Sequence, residues 1–193
     1  MRSRCIHGSV LLCAALLAAP ESYAQDAFSR ISATAGMVHS VHRTDLHDFW
    51  TAGSGGELLL STPFHAGEVE LGLALHRYEA LAAEVPRFDA LLTSLGWRID
   101  VSPWEFASWY GGFDVGNYWM SFDEETFAGV RNESELMLGL YTRLELRCSR
   151  LIRLYAAGRT MRVYTKPRLP MAYVSAGLRI TLDSPDWLRT ILR

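Results

Sequence analysis

The stretch that decides the fold is Met171-Ala172-Tyr173-Val174-Ser175-Ala176-Gly177-Leu178-Arg179-Ile180-Thr181-Leu182. Its even positions, Ala172, Val174, Ala176, Leu178, Ile180 and Leu182, are all apolar. Its odd positions after Met171 are polar, small or amphipathic: Tyr173, Ser175, Gly177, Arg179 and Thr181. Successive side chains leave a strand on opposite sides, so a period of two marks a β-strand with two unlike faces. What remains to be read is how many such strands the chain holds and where their apolar faces point.

The same alternation recurs upstream. From Phe28 to Val41, Ile31, Ala33, Ala35 and Met37 oppose Arg30, Ser32, Thr34, Gly36 and Ser40. His42 to Gly56 breaks the period and reads as a loop. Glu57 to Thr62 sets Leu58 and Leu60 against Glu57 and Ser61, with Leu59 out of pattern, and Pro63 to Ala66 reads as a turn. In Gly67 to Tyr78, Val69, Leu71, Leu73 and Leu75 oppose Glu68, Glu70, Gly72, Ala74, His76 and Tyr78. Phe88 to Val101 places Leu91, Leu95, Trp97 and Ile99 against Ser94, Gly96, Arg98 and Asp100. Glu105 to Met120 places Trp109, Phe113, Val115 and Trp119 against Tyr110, Gly112, Asp114 and Tyr118. Asn132 to Arg147 places leucines at 136, 138, 140, 144 and 146 against Glu135, Tyr141, Arg143 and Glu145. In Arg150 to Tyr164, Ile152, Leu154 and Ala156 oppose Arg153, Tyr155 and Arg159.

Eight long strands in four hairpins follow. Most run 12 to 16 residues, Glu57 to Thr62 being the short one, against ~5–6 for an average soluble strand and the ~9–11 tilted residues that cross a bilayer. Connections after the second, fourth and sixth strands are short; the others are longer and more polar, the asymmetry expected of an outer-membrane barrel. The expected fold is all-β: an eight-stranded antiparallel up-and-down transmembrane barrel over residues 25–182.

A soluble lipocalin-like carrier would show the same period with its apolar face turned inward. Leu, Val, Ile and Ala dominate one face with few charges, and Trp97, Trp104, Trp119 and Tyr164 fall near strand ends, where interfacial girdles belong. The opposite face mixes Gly, Ser and Tyr with both signs of charge. These features favour lipid outside and polar groups inside.

Residues 1–24 read as a secretory signal: Arg2 and Arg4, then an apolar Val10–Ala19 run too short to span, then Ser22-Tyr23-Ala24. Cys13 follows leucines rather than a small residue, which argues against a lipid anchor. Removing the segment takes two arginines and one glutamate from 19 basic and 21 acidic residues, leaving 17 and 20, a net −3. Nothing in that balance suggests a nucleic-acid partner. Cys148 remains as a single cysteine, so no internal disulfide is expected. Eighteen of the 19 basic residues are arginine, the better choice for bidentate pairs held away from water.

An eight-stranded barrel is just wide enough for side chains to fill it, so charges inside must pair. Counted from the short turns, Glu68, Glu70, Arg98, Arg143, Glu145, Arg153 and Arg179 all fall in one half of the barrel. They are expected to interdigitate as an Arg–carboxylate network plugging the lumen.

With its signal, eight amphipathic strands and uneven connections, the chain resembles the small outer-membrane barrels of the OmpA transmembrane-domain and OmpX type. Ser175, Gly177, Ile180 and Leu182 fill the places of the barrel-insertion signal of such proteins, and the resemblance implies outer-membrane lipid and the insertion machinery as partners. Such barrels commonly end at a terminal Phe; this chain continues to Arg193. Asp183-Ser184-Pro185-Asp186 resembles a helix start, and Trp187, Leu188, Ile191 and Leu192 suit an interfacial amphipathic tail over 183–193, with a frayed terminus as the rival reading.

No catalytic constellation emerges. His39, His42 and His47 with Asp45 and Asp48 are read as solvated rather than metal-ligating, and no cofactor is expected. A lipid-modifying barrel enzyme would want a His–Ser or His–Glu pair on the lipid side, whereas His76 falls on the inner face. Residues 51–56 lack the Gly-x-Ser-x-Gly elbow and the phosphate-loop lysine. Asn132-Glu133-Ser134 matches a glycosylation triplet that arises often by chance. The expected role is structural, or surface contact through the outer loops with a partner the sequence does not specify.

Overall fold

The structure, a computed structural model, describes residues 27–41, 45–102, 104, 106–124, 131–165 and 168–187. Its strands are β1 (Arg30–Ser40), β2 (Trp50–Ala52), β3 (Ser54–Phe64), β4 (Gly67–Ala80), β5 (Phe88–Asp100), β6 (Ala107–Phe122), β7 (Asn132–Arg147), β8 (Ile152–Val163) and β9 (Leu169–Asp183). Every pairing is antiparallel; β1 pairs with both β3 and β9, and β4 with β5, so the sheet closes on itself. The short β2 continues the stave of β3 along β4, which makes this a closed eight-stranded barrel.

The join between β2 and β3 departs from the sequence reading. The Gly-rich segment expected to be a loop is part of the wall: Asp45–Asp48 form a 3-10 turn, and the strand resumes at Trp50. Ala52 is opposite Tyr78 but Gly56 is opposite Leu75, so the β2–β3 stave carries one extra residue. This is a β-bulge, pinned by the Gly53 amide donating to the Arg77 carbonyl at 2.9 Å. The extra residue reverses the in–out parity. Trp50 and Ala52 pack on the interior before it, Glu57 and Leu59 after it, and no single period of two spans the segment.

Which face points where follows from exposure. Leu58, Leu71, Leu95, Leu140, Leu178 and Leu182, one or two from each strand concerned, are 48–63% exposed. Arg98, Arg143, Glu145, Glu70 and Asp114 are buried. This inversion excludes the lipocalin arrangement. A continuous belt of leucine and aromatic side chains far exceeds the few hundred Å² that a water-facing surface tolerates; it is a surface for hydrocarbon.

At one end, the turn end, the connections are short: residues 65–66, 101–106 and 148–151. Pro63 and Phe64 remain in β3, so the first of these turns is just His65-Ala66, with His65 at φ 49°. The start of β1 and the end of β9 meet at the same end, where the Ser184 amide donates to the Ser29 carbonyl at 3.0 Å. A helical turn starts at Asp186–Trp187, and the rest of the expected tail lies outside the described residues. The longer connections gather at the opposite, loop end.

Candidate functional site

The lumen is where the sequence placed its charges, and the structure brings all seven expected residues into contact. Strand parity aims each one inward, and its distance from a short turn sets its height. Glu145 on β7 is fully buried and receives three arginines. Arg179 Nη1 donates to its two oxygens at 2.8 and 2.9 Å, Arg153 Nη1 to Oε2 at 3.3 Å and Arg98 Nη1 to Oε1 at 3.4 Å. Glu68 is shared in the same way, with Arg98 Nη2 at 2.6 Å and Arg179 Nη2 at 2.8 Å. One layer higher, Arg143 grips Glu70 through two parallel bonds of 2.6 and 3.1 Å. The Arg98 guanidinium also lies 4.3 Å above the Tyr110 ring. Each planar guanidinium thus bridges strands that do not pair with one another, which a point-charge ammonium could not do.

Three further ionic residues belong to the lumen. Arg159 lies 3.0 Å from Asp114, and Tyr155 donates its hydroxyl to Glu57 at 2.6 Å. Inner-face parity puts these side chains inside; it does not give their height. With them the bonded network, among the described residues, comprises Arg98, Arg143, Arg153, Arg159 and Arg179 against Glu57, Glu68, Glu70, Asp114 and Glu145, five of each sign. A network of that composition supplies its own counter-charges.

Local sequence explains how Tyr155 reaches Glu57. One ladder row runs Glu145, Tyr155, Gly177, Gly36, Glu57 across β7, β8, β9, β1 and β3. The two glycines leave a trough along which the phenol lies. A Cβ on Gly36 would collide with the Tyr155 hydroxyl and would sit 2.6 Å from the Ala176 carbonyl oxygen. Gly177, assigned to the insertion signal, is therefore also a packing residue. The other members of that signal fall on the two faces of β9: Ile180 and Leu182 are exposed, and Ser175 is half-buried.

Towards the loop end the interior changes character, and here the sequence reading of a polar lumen is corrected. Tyr78, Phe88, Leu92, Tyr118, Met120, Met137, Met161, Val163 and Met171 form one buried cluster. Tyr78 stacks on Phe88 with 4.5 Å between ring centroids. The only polar atoms of the tyrosine side chains are satisfied internally, Tyr78 to Tyr173 at 2.8 Å and Tyr118 to Tyr78 at 3.3 Å. The inner face at this height is mostly Met, Phe, Tyr and Val, with the half-buried Glu133 and Glu135 opposite Met120 and Tyr118, and its cluster packs as an apolar core within the barrel.

Among the loop-end histidines, His47 Nε2 lies 3.3 Å from Ser40 Oγ and His39 is exposed; His42 lies outside the described residues. Among the described residues no three His, Cys, Asp or Glu side chains converge as a metal site. His76 is buried inside, 4.6 Å from the Tyr173 ring. The Asn132-Glu133-Ser134 triplet lies in β7 and not in a loop, with Asn117 Nδ2 donating to Ser134 Oγ at 2.8 Å.

No family model matches the sequence, nor does any curated protein. Among solved structures the chain is similar to Neisserial surface protein A, with TM-score 0.54 and 17% identity over 78% of this chain and 95% of that one. It is similar to Ail, the attachment invasion locus protein of Yersinia pestis, with TM-score 0.54 and 14% identity over 80% and 99% of the two chains. It is similar to the outer membrane protein OprG of Pseudomonas aeruginosa, with TM-score 0.54 and 11% identity over 82% and 98%. At these identities the likeness is one of fold: that of small eight-stranded outer-membrane barrels.

Proposed function

We propose that the protein is a closed, non-conducting barrel of the Gram-negative outer membrane that acts through the segments at its loop end, as an envelope component or a surface contact. The observation that carries this reading is the interior: a charge network of zero net sign in one half and an apolar aromatic core in the other. A lumen so filled does not serve as a channel, which leaves the two ends to do the work. By the asymmetry of its connections the turn end faces the periplasm and the loop end the exterior. The surrounding lipid and the insertion machinery are its assembly partners in this reading, and the barrel has no catalytic part. Ail is named as an attachment protein, and attachment is a contact of the same general kind.

Planar-bilayer recording tests the closure. No conductance above the bare-membrane leak is expected, and stable single-channel steps would refute it. Orientation is tested through Cys148, exposed in the turn between β7 and β8. A membrane-impermeant maleimide should leave it unlabelled in intact cells and label it once the outer membrane is permeabilised. Labelling in intact cells would reverse the barrel.

A further inference from the structure

At the turn end the barrel opens into a cavity of about 790 Å³, within the ~300–1,000 Å³ typical of ligand pockets. Its floor is inner-face side chains already described, Arg179 and Tyr110 among them, and its rim carries Arg30, Trp104, Arg147 and Arg153. The carboxylates that line it are engaged. Glu68 binds Arg98 and Arg179, and Asp100 Oδ1 accepts from the Ser102 amide at 2.8 Å. The rim cations are differently placed. Among the described residues neither Arg30 nor Arg147 has an ion pair, even though Asp183 is the ladder partner of Arg30. The guanidinium of Arg153 is anchored from below by Glu145, Ser108 and Tyr110, with its side chain 24% exposed to the cavity.

From this we propose that the turn-end mouth is a binding site for a carboxylate-rich ligand of the periplasm, the peptide stems of the cell-wall glycan being the chemistry it fits. Guanidiniums with unused donors select planar oxyanions, which they bind bidentately. The half-exposed Trp104 ring adds an apolar platform for a sugar or peptide face beside them. A phospholipid headgroup carries a matching charge but approaches from the wrong side. The cavity lies on the barrel axis, lined by inner-face residues, and opens to the aqueous space rather than to the lipid belt. The physiological setting rests on the orientation proposed above; the binding itself does not.

The test uses the full mature barrel in nanodiscs of zwitterionic lipid, sedimented with purified cell-wall sacculi and competed with soluble disaccharide-tetrapeptide. The parent should co-sediment saturably and be displaced by the soluble fragment. Arg30→Ala/Arg147→Ala should weaken retention about tenfold, two exposed charge contacts of a few-fold each. Both residues are exposed and neither belongs to the buried ion-pair network, so the variant should keep the parent's heat-modifiable migration. Arg150→Ala, in a turn outside the cavity, is the control for diffuse charge and should leave retention unchanged. Equal retention by parent and double variant, or an equal loss from Arg150→Ala, overturns the site. An Arg30/Arg147-dependent association with anionic vesicles and none with sacculi assigns the arginines to headgroups and overturns it too. Because both faces of a nanodisc are accessible, a wrong orientation would show in Cys148 labelling and not in this assay.

Discussion

Glu145→Gln isolates the central element of the interior. Glutamine keeps the shape and one acceptor oxygen, but removes the charge on which Arg98, Arg153 and Arg179 converge at 2.8–3.4 Å. Removing one partner of a buried ionic set leaves the others desolvated and unpaired, a loss of about 3–5 kcal/mol. The retained acceptor places Glu145→Gln near the lower value, about 3 kcal/mol. Arg179→Met should cost a similar amount, because it removes the arginine that Glu145 and Glu68 share and leaves Arg98 between the two carboxylates. The informative variant is the double. Glu145→Gln/Arg179→Met returns the bonded network to four charges of each sign and swaps an ionic pair for a polar–apolar one of similar volume.

If charge balance governs stability, the double variant should be no more damaged than either single one, a coupling of about 3 kcal/mol, at the top of the range for contacting residues. The assay is urea unfolding in lipid vesicles, followed by tryptophan fluorescence and by the migration shift of the folded barrel. Two results would refute the reasoning. A Glu145→Gln variant within about 1 kcal/mol of the parent would mean that water screens the network. Additive losses in the double variant would mean that the two residues contribute separately and that net charge does not matter.

Smaller changes test other parts of the fold. Arg179→Lys should lose about 2 kcal/mol in the same urea titration, since one ammonium cannot reach Glu145, Glu68 and Ser32 together. Gly36→Ala should cost about 1–3 kcal/mol by driving Tyr155 from its trough; Gly158→Ala, where a new Cβ meets nothing within 4 Å, should be neutral. His65→Gly should raise stability by about 1 kcal/mol, the relief of a left-handed backbone at φ 49°. A loss there would mean that the edge contact of the His65 ring with Phe64, at 4.3 Å, outweighs the backbone term.

The fold was legible because a barrel wall repeats one rule. Leu138 against Arg143, or Leu178 against Arg179, declares its side of the wall by parity alone, and enough strands obey for the exceptions not to matter. The bulge at Gly53 was illegible because parity reverses there; Leu59 looked misplaced because it is an apolar side chain on the inner face, between Glu57 and Ser61. The charge network was legible where height could be counted from a turn. It failed for Glu57 because strands in a barrel are staggered: Glu145 sits three residues before the β7–β8 turn and Glu57 eight before the β3–β4 turn, yet one ladder row contains both. Stagger is a property of closure, which no single strand encodes. The mouth arginines, Arg30 and Arg147, look like ordinary strand ends in the sequence, because pairing, or the lack of it, emerges only once the neighbours are in place.

The two halves of the interior differ in what would open them, and this separates structure from closure. In the charged half, removing one partner unbalances the set but leaves long side chains that still fill the space, so Glu145→Gln should weaken the barrel without conducting. On the proposed closure, the loop-end half is sealed by ring stacking and methionine packing, since an apolar constriction excludes ions by dewetting even where water reaches it. Opening a path therefore requires volume to be removed there. Phe88→Ala/Tyr118→Ala deletes one member of the 4.5 Å Tyr78–Phe88 stack and the hydroxyl that bonds Tyr78. Each truncation should cost about 3–5 kcal/mol, so conductance counts only for protein that still shows the folded migration. Steps from this variant, with silence from Glu145→Gln, would place the seal in the aromatic core. Steps from Glu145→Gln alone would place it in the charge network, and the aromatic half would then have to be wet.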